Sequence, residues 1–197
     1  MVDELARLNI KIDLSVFFSR MVGRSFEQAM ATVRELTGQM VPDGFKDSFR
    51  ASLLVRFETE LKPISGIVEL LSSLHVPVCV ATSSDPVRAA RSLEVTGLSR
   101  FFIDRVFTAS LVPNGKPAPD LFLHAAQVLS VEPSRTIVIE DSAFGLMAAK
   151  AAGMTAWHFT GGGHFKGGYE VAPEILRDQS FSSMTKVLAE ARHLGIA

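Results

Sequence analysis

After Pro63 the sequence changes rhythm, and this change limits the fold more than any other feature. Short apolar runs at Val78–Ala81, Val106–Phe107, Thr136–Ile139 and Thr155–Phe159 alternate with helical stretches at Ile67–Leu74, Pro86–Glu94, Pro119–Leu129 and Ala143–Ala152. A helix between each pair of strands excludes tight hairpins and favours parallel pairing through crossovers, so the pattern predicts an α/β fold with a parallel sheet and helices on both faces. Pro86 and Pro119 suit first helical positions, and Gly153 suits the position just past a helix end. Ligands of such sheets collect beyond the carboxyl ends of the strands, which directs the search for chemistry to the residues leaving each apolar run.

Before Pro63 the chain reads as helical. Ser25 with Gln28 three residues later forms a capping box, and Gly38 supplies the stop. Phe26, Ala29, Met30, Val33 and Leu36 share one helix face; Phe45, Phe49, Leu53, Phe57 and Leu61 share the next. Both stripes are expected to pack as core. The division that follows is a helical domain over residues 1–62 and an α/β domain over 63–197. A closing helix is expected at Met184–His193, preceded by GGGHFKGG, which reads as a mobile loop.

Composition narrows the function. The 197 residues are 47% apolar, enough for a buried core, and the net charge of −1 comes from scattered acids and bases. That balance argues against a nucleic-acid surface and favours small-molecule chemistry. The single cysteine, Cys79, lies in the apolar run VPVCVA and reads as a small buried hydrophobe, which excludes a disulfide framework. No apolar run reaches the roughly 18 residues of a membrane span, and the N-terminus MVDELARLNIKID carries acids without a sustained apolar segment. A soluble, cytoplasmic protein is expected.

Three strand-end stretches carry candidate chemistry. In TIVIEDSAFG, Glu140 and Asp141 leave the carboxyl end of a strand, where two acids converge on a cation; Mg²⁺ takes one or two carboxylates plus waters and phosphate oxygens. Asp141 or Ser142 equally suits the cap of the following helix. In VCVATSSDP, Thr82, Ser83 and Ser84 precede a helix whose free N–H groups suit an anion, although an ordinary Ser/Asp cap has the same pattern. In NGKPAPD, Lys116 offers a point charge to a phosphate, while a lone loop lysine is ordinarily solvated.

Together and in this order, the three stretches resemble the haloacid dehalogenase-like superfamily, in its phosphatase and β-phosphoglucomutase-like branch with a helical cap. The most specific combination is GKPAPD followed, 24 residues after its lysine, by EDS; LKPISGI, MVGRS, SLEVTGL and AAGMTAWHFTGG extend the likeness over nearly the whole chain. The resemblance implies a Rossmann-like core and a helical cap. It also implies that Thr82 hydrogen-bonds a transferring phosphoryl group, Lys116 neutralises it, and Glu140 and Asp141 position Mg²⁺. Ser83, Ser84 and Arg24 would contact a small phosphorylated metabolite. Charge neutralisation and positioning are what phosphoryl transfer requires. A dehalogenase needs no Mg²⁺, so the acidic pair favours a phosphatase, a sugar phosphomutase or a non-catalytic binder of phosphorylated metabolites.

One part of the family pattern is missing from these residues. Its reaction begins on an Asp at the end of an N-terminal strand, in a DxDGxxxDS-type stretch, and a second Asp two residues later acts as acid and base. Asp3 is followed by Glu4 and Leu5, Asp13 by Leu14 and Ser15, and neither follows an apolar strand; Asp43 and Asp47 lie in a helical region. The expectation is a chain that begins inside the cap. It should have no turnover, with a gap or direct re-pairing between the first and third strands. Thr82, Lys116, Glu140 and Asp141 should still line one cleft within roughly 10 Å.

Overall fold

A computed structural model describes residues 1–163, 165 and 169–197. The capping box forms as read: Ser25 Oγ accepts the Gln28 N–H at 3.3 Å, and Gln28 Oε1 accepts the Ser25 N–H at 3.0 Å. It opens α3 (Phe26–Thr37), which Gly38 closes in the left-handed region at φ +70°. The other helices of this region are α1 (Val2–Arg7), α2 (Leu14–Arg20) and α4 (Phe45–Glu60). Leu5, Ile10, Ile12, Met21, Ala29, Val33 and Phe45 make a core of their own, flanked by stacked Phe26 and Phe49. Leu36 departs from the expected stripe. It is 42% exposed, the penultimate residue of α3.

From residue 63 onward strands and helices alternate: α5 (Ile67–Ser73), β1 (Val80–Thr82), α6 (Pro86–Val95), β2 (Val106–Thr108), α7 (Asp120–Val128), β3 (Ile137–Glu140), α8 (Ala143–Ala151), β4 (Thr155–Phe159), β5 (Gln179–Phe181) and α9 (Met184–His193). Every strand pair is parallel. Side chains of β4 alternate between the faces: Ala156 packs with Leu146, Ala148 and Ala149 of α8, while Trp157 and Phe159 pack with Leu70 of α5 and Val187 and Leu188 of α9. Helices therefore cover both faces, as the α/β pattern requires. Pro86 takes the first position of α6, whereas Pro119 stands just outside α7 as its N-cap. Gly153 follows α8 at φ +72°.

Pairing divides the strands into two sheets, β1–β2 and β3–β4–β5. Among the described residues no ladder joins β1 to β3, the gap that was one of two expected outcomes. Ile139, inside β3, is left 40% exposed. The helical region meets the rest chiefly where α4 packs on α6. Half of the expected loop GGGHFKGG, residues 164 and 166–168, lies outside the described residues. No helix among the described residues is long and apolar enough to cross a membrane.

Candidate active site

Lys116 sits where the two sheets face each other. Its ammonium donates to the Ala81 carbonyl of β1 at 3.1 Å and pairs with the Glu140 carboxylate at the end of β3. The residue is only 3% exposed, and its Nζ lies 4.6 Å from the Phe122 ring centroid, against the electron-rich face. A lysine buried this deeply requires a partner, because an unpaired ammonium loses its hydration without compensation. Glu140 supplies it, bridging two sheets that no backbone ladder joins.

Glu140 is itself fixed from the other side. Its Oε2 accepts the Ser142 hydroxyl at 3.0 Å and the N–H groups of Asp141 and Ser142 at 3.2 and 3.4 Å. These donors belong to the N-terminus of α8, where the helix dipole favours negative charge. Ser142, fully buried, caps that helix by accepting the Gly145 N–H at 3.1 Å. The helix passes so close that a Cβ at Gly145 would lie 2.0 Å from the Glu140 carboxyl carbon. Only glycine leaves room for the carboxylate.

The β1 end is folded by its own hydroxyls. Thr82 Oγ1 accepts the Ser84 N–H at 3.1 Å, and the Ser83 hydroxyl donates to the Gly23 carbonyl at 2.7 Å, tying this turn to the helical region. Gly23 has φ +86°, and a Cβ there would stand 2.3 Å from Ser142 Oγ. Arg24 follows, its guanidinium 4.3 Å over the Phe144 ring and within 3.3 Å of Thr32 Oγ1. Asp141 adjoins Tyr169, whose phenol accepts the Ala143 N–H at 3.2 Å; burial pushes the Tyr169 hydroxyl above its ordinary range, and the charges of Asp141 and Glu140 add to this.

The residues singled out in the sequence separate into two groups. Lys116 and Glu140 meet directly, with Thr82 and Asp141 at adjoining strand ends. Arg24, Ser83 and Ser84 line a cleft of about 640 Å³ between the helical region and the β1 and β2 ends. Thr82, Lys116, Glu140 and Asp141 are not among the residues lining that cleft; the buried ion pair adjoins it. Reading the sequence for charge and hydroxyl missed Gly23 and Gly145. The glycines of MVGRS and EDSAFG were the available signal.

Against this geometry, the sequence profile described as haloacid dehalogenase-like hydrolase matches residues 9–153. The chain belongs to that family. It is 30% identical to the 6-phosphogluconate phosphatase of Escherichia coli over 60% of this chain and 53% of the relative. With fructose-1-phosphate phosphatase YqaB of the same organism the identity is 42%, over 46% of this chain and 48% of the relative. The chain thus spans about half the length of these curated relatives. Among solved structures, a conserved haloacid dehalogenase-like protein of unknown function from Agrobacterium tumefaciens superposes with a TM-score of 0.75 at 27% identity, covering 98% of this chain and 89% of that one.

Proposed function

We propose that this chain supplies the phosphate- and metal-handling part of a phosphatase acting on small phosphorylated metabolites such as sugar phosphates. The observation that carries the reading is the buried Lys116, held between Ala81 and Glu140 at the carboxyl ends of β1 and β3. A fixed cation at a break in strand order is where an open α/β sheet binds an anion. The two Escherichia coli relatives bear phosphatase names, which favours this anion being a phosphoryl group. In this reading residues 1–62 form a cap over the core of 63–197, Thr82 hydrogen-bonds the phosphoryl group, and Lys116 neutralises it. Arg24, Ser83 and Ser84 contact the remainder of the substrate.

The acidic pair fits Mg²⁺, which needs no more than one or two protein carboxylates when waters and phosphate oxygens complete its shell. Among the described residues no larger group of metal-ligating side chains competes for this role. Glu140 and Asp141 would hold the ion together, Glu140 while both its oxygens also accept hydrogen bonds. The ion, when bound, would offset charge on the phosphoryl oxygens. The chain's own contribution is to hold Lys116 and the helix N–H groups in place before substrate arrives.

Attack on phosphorus in this family starts from an Asp at the end of an N-terminal strand, and among the described residues the first strand is β1 (Val80–Thr82), with no Asp before it at a strand end. The 197-residue protein is therefore expected to bind phosphate without releasing it from sugar phosphates. A version extended at its N-terminus with an apolar strand ending in Asp-x-Asp-Gly should turn over, and EDTA should stop it. Phosphate release measured on both proteins checks this. EDTA-sensitive turnover by the 197-residue protein, or none by the extended one, would overturn the assignment. A second reading is a binder of phosphorylated metabolites that performs no chemistry, which absence of phosphate release by the extended protein would favour.

A further inference from the structure

The turn that delivers Lys116 to its buried place is chemically labile two residues earlier. Asn114–Gly115 is the only Asn-Gly step in the sequence; the other asparagine, Asn9, precedes a β-branched isoleucine. Asparagine is a thermolabile residue. Its side-chain carbonyl carbon lies within reach of the next residue's nitrogen, and a following glycine, with no Cβ, leaves that approach open and the backbone free to bend into a ring. Asn114 is exposed, so water reaches it. Among the described residues the Gly115 N–H donates no hydrogen bond, so its nitrogen has no competing role. Nor does the fold require a glycine here. Gly115 is not at positive φ, and a Cβ there would first meet the Gln28 side-chain amide at an ordinary 3.6 Å.

Asp120 works against ring closure. Its Oδ2 accepts both Asn114 Nδ2 at 2.9 Å and the Asn114 N–H at 3.3 Å. Two donors of one residue on one acceptor hold the side-chain amide on the side of its own N–H, whereas attack needs its carbonyl carbon turned toward the nitrogen that follows. Asp120 is the first residue of α7, where the helix dipole favours a carboxylate, so the acceptor is held in place.

We propose that Asn114–Gly115 is a site of spontaneous deamidation, restrained by Asp120, and that its conversion releases Lys116 from the buried pair with Glu140. In the first step the Gly115 nitrogen bonds to Asn114 Cγ as the Cγ–Nδ2 bond breaks; ammonia leaves with the proton that the Gly115 nitrogen gives up, and a succinimide remains. Water then adds to one ring carbonyl. Opening at Cγ gives aspartate. Opening at the main-chain carbonyl gives isoaspartate, whose backbone runs through Cβ and is longer by one C–C bond, about 1.5 Å. Either product is a carboxylate facing Asp120 where an amide had donated, so attraction becomes repulsion. Lys116 keeps its bond to the Ala81 carbonyl at 3.1 Å and its pair with Glu140 only while this turn is in place. A displacement of that size takes such contacts out of hydrogen-bond range. None of this depends on what the protein binds.

Peptide mapping by mass spectrometry tests this on the 197-residue protein aged in mildly alkaline buffer, with and without urea. The peptide carrying Asn114 should gain one mass unit and split into aspartate and isoaspartate forms. The gain should be about two- to tenfold slower in the folded protein than in urea, the range set by losing a hydrogen bond. Asp120→Ala, shown folded by circular dichroism, should convert about as fast as the urea sample, and Gly115→Ala should hardly convert at all. As the mass rises, Lys116 should open in step to acylation by acetic anhydride. Asn114→Asp should melt below the native protein, and adding Asp120→Asn should restore the transition, which keeps the contact testable if Asp120→Ala does not fold. Equal rates in and out of urea, or a folded Asp120→Ala no faster than the native protein, overturns the restraint. No conversion of the folded native protein after about ten times the span that converts the urea sample overturns the site. Conversion without new acylation of Lys116 overturns the link between the two.

Discussion

Lys116 carries a charge into a place that water barely reaches, so its energetics are set by its partner. The Lys116 side chain is 4% exposed and that of Glu140 11%. Removing one member of such a pair strands the other, at a cost of about 3–5 kcal/mol, while replacing both by neutral groups of similar shape is often close to neutral. Lys116→Ala should therefore lower the unfolding free energy by about that amount, and Lys116→Met combined with Glu140→Gln should recover most of it in urea titrations. The double variant also separates structure from function, because it should fold and still fail to bind inorganic phosphate. The sequence made Lys116 and Glu140 legible through the family resemblance carried by GKPAPD and, 24 residues after its lysine, EDS. It did not reveal that they touch, since the contact depends on how two sheets approach each other. Nor did it reveal that Gly145 is needed, because its role is to leave space for a carboxylate.

At the level of elements, the strands that apolar runs marked are present, shifted toward their carboxyl ends by no more than two residues. β5 was not legible. Gln179–Phe181 is three residues long, and only Phe181 is buried, so neither an apolar run nor an alternation announces it. Tertiary hydrogen bonds create this strand: Asp178 Oδ2 accepts the Ala156 N–H of β4 at 2.7 Å, and both carboxylate oxygens lie 3.0 Å from Lys150 Nζ of α8. The Ala156 N–H, followed by Lys150, holds the Asp178 carboxyl below its ordinary range. A depressed folded-state value means stability that is present above the unfolded value of about 3.9 and is lost as pH falls through the folded one. Asp178→Asn keeps an acceptor and removes the charge. Its melting temperature should lie below that of the native protein at pH 7, and the difference should shrink below about pH 4.

Across the whole molecule, the change from helices alone to alternating strands and helices after Pro63 was legible in hydrophobic periodicity, whereas the family pattern left open whether β1 and β3 would be separated or paired. How the helical region is held to the core was not legible. Among the contacts that cross this seam, two kinds can be weighed against each other. Ion pairs join α4 to α6, with Arg91 on Glu58 and Arg50 on Asp85, and close packing joins Gly23 to Ser142 with the Ser83 hydroxyl on the Gly23 carbonyl. Magnitudes decide between them. The Arg91–Glu58 side chains are 35% and 47% exposed, and such a pair contributes about 0.2–1 kcal/mol, less in salt. A Cβ at Gly23 would instead overlap Ser142 Oγ at 2.3 Å and its Cβ at 2.7 Å. Overpacking of this kind costs about 1–3 kcal/mol, and a side chain at positive φ adds about 1–2 kcal/mol. Gly23→Ala should thus loosen the seam far more than Arg91→Ala does. Limited proteolysis between residues 61 and 66 should accelerate in Gly23→Ala and stay near the native rate in Arg91→Ala, with little change as salt is raised. Faster cleavage in Arg91→Ala than in Gly23→Ala would show that charge, not close packing, closes the molecule.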